Sequence, residues 1–218
     1  LNYSSRYLYS LVNLSKFNEA FNYAKKLEKR KLDNFESNLI IGIYYLKDSQ
    51  FDLAKKYFLK LQRRNPNFVL DSYVSNSLLN WSSFNKLDLN DAQKKIDSID
   101  DRFKNLRDIQ NVFLHCFYNS QKTDFFFKKI TSNKKINFSR YNYFYSNYLV
   151  NSGKQEQANQ VINNSLELHP RNLLLNQYKL DLLYKKNQNN FNCQNQLHVA
   201  AEILYITANA LSSQSIFT

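Results

Sequence analysis

The sequence is poor in the residues that bend and break chains. Of its 218 residues two are glycine and two are proline, against averages of about 7 % and 5 %. That scarcity argues against sandwiches and glycine-rich phosphate loops and for long helices joined by few tight turns. Methionine is absent, so Leu1 is not expected to be an initiator residue, and the chain reads as an internal fragment or processed product, with loss of a targeting segment left open. The two cysteines, Cys116 and Cys193, have no near neighbour of their kind. Neither a disulfide framework nor a metal-knuckle spacing is therefore expected, and redox chemistry is not anticipated. No run of 18 uncharged apolar residues exists; the longest candidate, Ile203 to Thr218, carries Thr, Asn, Ser and Gln and suits an amphipathic helix better than a membrane span. The expectation is a soluble chain of the cytoplasm or periplasm.

What the sequence does contain is enough apolar material for a core: 43 % apolar and 22 % charged residues, the composition of one globular domain or a short repeat array. Thirty basic against 18 acidic residues give a net charge of +12. The excess is +6 in each half, 19 against 13 in residues 1–109 and 11 against 5 in 110–218, so there is no charged tail. Such a charge suits nucleic acid or an anionic surface. Asn (31 residues), Lys, Tyr, Phe and Ile are abundant, however, and their codons are rich in A and T, so an AT-rich genome would produce this palette without selection for function.

A period of 34 residues runs through the chain: Phe17 and Ala20 recur as Phe51 and Ala54. The second copy reads Asn38-x-x-Ile41-Gly42-x-x-Tyr45, then Ala54-x-x-x-Phe58, then Pro66. Ile41, Gly42 and Tyr45 share one stripe of a first helix, and Ala54 and Phe58 share the facing stripe of a second. Gly42 and Ala54 are small so that the axes can approach. Pro66 ends the second helix and pushes Asn65 out of helical geometry, and Ser49 with Asp52 is a candidate capping box. The fifth copy has Tyr145, Ser146, Leu149, Gly153, Ala158, Ile162 and Pro170, with Ser152 and Gln155 placed to cap its second helix. A first copy has Tyr7, Leu8, Leu11, Ala20 and Ala24, and a third Leu79, Asn80, Ala92 and Ile96 after a four-residue displacement at Val69 to Ser72. In the fourth, Phe126 stands where a small residue is expected, so that pair of helices should splay or shift.

This pattern resembles the tetratricopeptide repeat, lacking only the aromatic at Asn38. The resemblance implies an all-α, right-handed superhelical solenoid of antiparallel helix hairpins. Its repeats would span about residues 1–34, 35–68, 73–106, 107–138, 139–172 and, in part, 173–186. An irregular polar loop, 187–195, and a terminal helix, 196–218, complete the chain. The stretch after 196 is loosely similar to long helical-repeat proteins of alphaproteobacteria.

In such solenoids first helices line a concave groove. The resemblance puts Tyr9, Leu39, Ile43, Trp81, Phe84, Asn111, His115, Tyr118, Tyr143 and Asn147 on that groove. Aromatic anchors and amides able to bond a peptide backbone are the composition of an interface centre, with Trp81, the sole tryptophan, as the first choice of anchor. The competing reading is that aromatics at helical spacing are core. The basic clamp that some members use for a terminal carboxylate is missing, Ser5, Tyr9, Leu39 and Ile43 standing where it would begin. On the convex side Lys56, Lys94 and Lys128 form a candidate basic stripe, although solvated lysines are the ordinary occupants of outward positions. The cluster Lys25, Lys26, Lys29, Arg30 and Lys31 complements a helix C-terminus.

Chemistry-bearing constellations are thin. His115 and Cys116 are adjacent and would point about 100° apart on a helix; His198 and Glu202 lie one turn apart without a second histidine; Asp97, Asp100 and Asp101 lack the glycine and spacing of a calcium loop. The expectations are no catalytic residues, no metal, no cofactor, no small-molecule substrate and no membrane span. The function expected is a non-catalytic scaffold that binds a segment of another protein. The alternatives are a helical-repeat RNA binder that uses the basic surface and an accessory domain of a larger enzyme or envelope assembly.

Overall fold

The computed structural model describes residues 3–62, 69–132, 139–184 and 191–215. Pro66, Asn65 and residues 187–190 lie outside them, as do Lys185 and Lys186. Among the described residues there are no strands and twelve α-helices: α1 Tyr3–Asn13, α2 Phe17–Lys29, α3 Phe35–Lys47, α4 Phe51–Gln62, α5 Val69–Trp81, α6 Leu89–Asp97, α7 Lys104–Phe117, α8 Thr123–Thr131, α9 Ser139–Asn151, α10 Gln155–Leu168, α11 Leu173–Leu183 and α12 Gln196–Ser215. Two short 3-10 turns, Phe84–Lys86 and Asp101–Phe103, flank α6. The chain forms two compact units, Leu1–Lys104 with Ala200–Thr218, and Asn105–Val199.

In the first unit each helix from α1 to α6 packs on its sequence neighbour, and α1 also packs on α3. The core is what the period demands: Leu8, Leu11, Ala20, Ala24, Leu27, Ile41 and Tyr57 form one buried cluster, each large aliphatic contributing about 1.5–3 kcal/mol. Gly42 is required by Phe58, because a Cβ on it would stand 2.8 Å from Phe58 Cδ1 and closer still to Cε1. Asn38, in the place of the missing aromatic, is fully buried and donates to Asp33 Oδ2 and to the Asn34 carbonyl, both at 3.0 Å. Asn34 caps α3: its Oδ1 accepts from Ser37 N–H at 2.9 Å while Ser37 Oγ accepts from Asn34 N–H at 2.8 Å, the reciprocal arrangement of a capping box.

The expected caps at Ser49 and Ser152 are not formed. Ser49 has φ 58° and belongs to the end of α3, where Gln50 N–H donates to the Tyr45 carbonyl at 2.8 Å. Ser152 donates its hydroxyl to the Tyr148 carbonyl at 2.8 Å, and Lys154, without a side-chain cap, precedes α10. Several of the helix-to-helix turns instead use a left-handed residue to satisfy the last carbonyls. Ser15 (φ 57°), Ser49 (58°), Asn119 (49°) and Gly153 (75°) serve this role, so the first two and the last two are each 34 residues apart. The bonds Lys16 to Leu11, Gln50 to Tyr45, Ser120 to His115 and Lys154 to Leu149 close them identically, at 2.8–2.9 Å. The period visible in the side chains is therefore also carried by the backbone.

In the second unit α9 packs on α8, α10 and α11, and α10 on α11. Ala158, Leu149 and Tyr145 are buried, Ser146 Oγ donates to the Ala158 carbonyl at 3.0 Å, and Ile162 clusters with Leu175 and Tyr178. Asn172 caps α11 by accepting from Leu175 N–H at 3.2 Å and donates to Ser139 Oγ at 2.9 Å. This repeats the contact of Asn34 with Ser5 Oγ at 3.0 Å in the first unit. The α7–α8 pair lacks the close backbone approach of α3 and α4. Phe126 lies flat on the His115 ring, centroids 4.1 Å apart, and fills the gap that an alanine would have closed.

Candidate functional site

The residues expected to line a groove meet different fates. On the first unit Tyr9 is 68 % exposed, Leu39 and Ile43 are half-buried, and Trp81 and Phe84 are both 0 % exposed. Trp81 ends α5, and the 3-10 turn folds Phe84 edge-on over its ring at 4.9 Å. Both are core, and the surface anchor expected at Trp81 is corrected accordingly. On the second unit Asn111 and His115 are buried in α7, and Tyr118 sits half-buried just past its end. His115 is occupied structurally: its Nδ1 is 3.0 Å from Ser120 Oγ, and its carbonyl accepts from the Thr123 hydroxyl at 2.9 Å.

Tyr143 and Asn147 are brought together on one target. One turn apart on α9, they reach the same residue, Phe191, in the non-helical stretch before α12. The Asn147 Nδ2 donates to the Phe191 carbonyl, and the Phe191 backbone N–H is bonded to the Tyr143 hydroxyl, whose pKa is nonetheless raised by burial. The Phe191 ring stacks on Phe144 at 4.1 Å and lies 5.1 Å from Phe113. His198 Nδ1 accepts from Asn192 N–H at 3.0 Å, so this histidine orients a loop.

Two residues later the stretch is anchored covalently. Cys193 is disulfide-bonded to Cys116 of α7 across 77 positions, with Cα atoms 5.8 Å apart, inside the range such a bond requires. The expectation of no disulfide is thus corrected: distance along the chain says nothing about distance in the fold, and Phe191 docks this loop against Phe113 of α7 and Phe144 of α9. Beside this segment lies a cavity of 670 Å³, bounded by the end of α7, by α9 and its turn, and by Phe191 to Gln194. Its eleven lining residues include five carboxamides and three aromatics and no Lys, Arg, His, Asp or Glu.

Elsewhere the polar groups serve the fold. Lys56 and Lys94 of the first unit and Lys128 of the second are exposed, and Lys94 is paired with Asp91 at 2.8 Å. Lys25 does not stand in a solvated cluster but bonds Tyr57 Oη at 2.8 Å and pairs with Glu28 at 2.5 Å. Asp100 caps the 3-10 turn after it through Arg102 N–H at 2.9 Å. Among the described residues no group of three His, Cys, Asp or Glu could hold a metal, and no helix is long and apolar enough to cross a membrane. Sequence reasoning missed Phe191, Asn192 and the cysteine pair; the available signal was one phenylalanine and one cysteine inside a run of Asn and Gln. No family model matches the chain, and no curated protein or solved structure is detectably similar to it.

Proposed function

We propose that this chain is a helical-repeat protein of the tetratricopeptide kind that acts as a non-catalytic scaffold, holding an extended segment of another protein on its first-helix faces. One observation carries the reading: Tyr143 and Asn147, positions expected on the binding face, grip the main chain of Phe191, a non-helical segment of the same molecule. The mode is main-chain bonding for affinity and a side-chain slot for specificity. Here the slot is built by Phe113 and Phe144. Each net hydrogen bond contributes about 0.5–1.5 kcal/mol and each aromatic pair about the same, so affinity would grow with the number of repeats engaged.

Selection of random peptides against the folded chain, with a single-stranded RNA as competitor, tests the reading. Enrichment of related peptides whose retention holds between about 50 and 200 mM salt supports a scaffold. RNA retention that falls by orders of magnitude over the same interval, with no peptide enriched, supports the nucleic-acid alternative and overturns the proposal.

A further inference from the structure

The cavity beside Phe191 is neutral in a chain that is 22 % charged and carries +12. Anionic ligands, phosphates included, therefore find no counter-charge on its walls. Of the polar groups that line it, Asn192 Oδ1 accepts from Gln194 N–H at 2.9 Å and Ser152 Oγ donates to the Tyr148 carbonyl at 2.8 Å; others keep hydrogen-bonding capacity to spare. Asn147 is 3 % exposed and spends its Nδ2 on Phe191, leaving Oδ1 with no partner among the described residues. The side-chain amides of Asn119, Asn151 and Gln194 and the Tyr148 hydroxyl likewise have none there. Each carboxamide offers one acceptor and two donors, the complement of a peptide unit.

The spacing favours an extended chain. Asn147 and Asn151 lie on one face of α9, about 6 Å apart along its axis, and alternate peptide units of an extended strand repeat every 6.7 Å or so. A strand laid along α9 would thus meet one carboxamide at every second residue. A saccharide finds no open face on Phe144, which is 3 % exposed and covered by Phe191 at 4.1 Å; Phe191 and Tyr148 are half-buried, and maltotriose is the probe for stacking on them.

We infer that this cavity takes an uncharged, extended stretch of a partner protein, rich in Gln, Asn, Ser or Thr, laid along α9 beside the protein's own Phe191–Gln194 segment. The inference rests on the scaffold reading above and narrows it to one place and one partner chemistry. The main chain of the ligand bonds Asn147 Oδ1 and the Asn151 amide, and the disulfide keeps the opposite wall in place, so the ligand adds to the internal segment and does not displace it.

The test is a titration followed through the side-chain amide resonances of the isotope-labelled, oxidised protein. The probes are an acetylated, amidated peptide of alternating Gln, Ser and Asn, a matched peptide of alternating Lys and Ser, and maltotriose. Expected are saturable shifts of the Asn119, Asn147 and Asn151 amides with the neutral peptide. They should be insensitive to salt from about 50 to 200 mM and about tenfold weaker in Asn151→Ala. Asn151 is exposed and holds no internal contact, so this variant keeps its fold. Three outcomes overturn the inference: no shift at about 5 mM neutral peptide, equal binding by Asn151→Ala, or shifts of the same amides by maltotriose alone. Peptide shifts confined to other first helices would remove the cavity proposal and leave the scaffold reading standing, whereas peptides inert everywhere would remove both.

Discussion

Where α4 presents Ala54 to α3, α8 presents Phe126 to α7, and that one difference separates two kinds of region. Between α3 and α4 the small side chains let the Phe58 ring press on the bare backbone at Gly42, and the hairpin is close and regular. Between α7 and α8 the His115 and Phe126 rings stack 4.1 Å apart and hold the backbones away from each other. In the regular hairpin this approach fixes the packing of α3 on α4. The irregular pair carries Cys116 and Phe113, the very side chains that anchor Cys193 and Phe191. A repeat that departs from its own pattern is thus where this chain places its most distinctive chemistry.

The largest expected effect comes from removing the covalent link that only the second unit has. Cys116→Ala with Cys193→Ala should cost about 2 to 4 kcal/mol, as for closure of a long loop. Native-state hydrogen exchange should show the loss in α7 to α9 while α3 and α4 keep their opening energies; an equal loss in both would erase the contrast. Next, Gly42→Ala must move a buried ring and should cost about 1 to 3 kcal/mol, whereas Phe126→Leu, at a place already spread, should cost under about 1.5. Urea midpoints of the two variants decide, and the reverse order would contradict the packing account.

Acid sharpens the comparison from another side. Burial acting alone would raise the Glu28 carboxyl, but hydrogen bonds from Lys25, Lys60 and Tyr57 outweigh it and bring the pKa down from 4.5 to about 2. A depressed carboxyl stabilises above its unfolded value, and that contribution is withdrawn as pH falls from 4.5 towards 2. Thermal melts should therefore show the first unit weakening through this window by about 1 kcal/mol, the partial exposure of the lysines screening the rest. Glu28→Gln should flatten the dependence. The smallest effect is at the turns: Gly153→Ala meets no atom within 4 Å yet must hold φ 75°, costing about 1 kcal/mol, while Asn119→Gly should be neutral or slightly stabilising. Melting temperatures of the two variants should move in opposite directions or in one direction for Gly153→Ala only.

The packing of α3 on α4 was legible because small and large side chains at fixed offsets leave one way to nest, as Gly42 against Phe58 does; at Leu149, Ala158 and Ile162 the same offsets announce burial. The caps were misread because Ser49 and Ser152 fit an N-cap pattern, but a chain with two glycines must use serine or asparagine to end helices in left-handed geometry. Trp81 was misread for a related reason. Helical spacing gives the face of a residue but not what folds over it, and the turn carrying Phe84 is not periodic. The Phe191 docking was invisible for the same reason, since a loop inside an Asn and Gln run has no period to read. The sequence pattern expects Tyr143 and Asn147 on one face of a helix, but their contact with Phe191 is not legible in it.

The central claim is that Tyr143 and Asn147 hold the main chain of a non-helical segment at Phe191. Hydrogen exchange at the Phe191 to Gln194 amides measures it directly, comparing the oxidised protein with its Tyr143→Phe and Asn147→Ala variants. The account predicts exchange about tenfold faster at these amides, with α3 and α4 unchanged. Rates identical to those of the parent chain in both variants would contradict it.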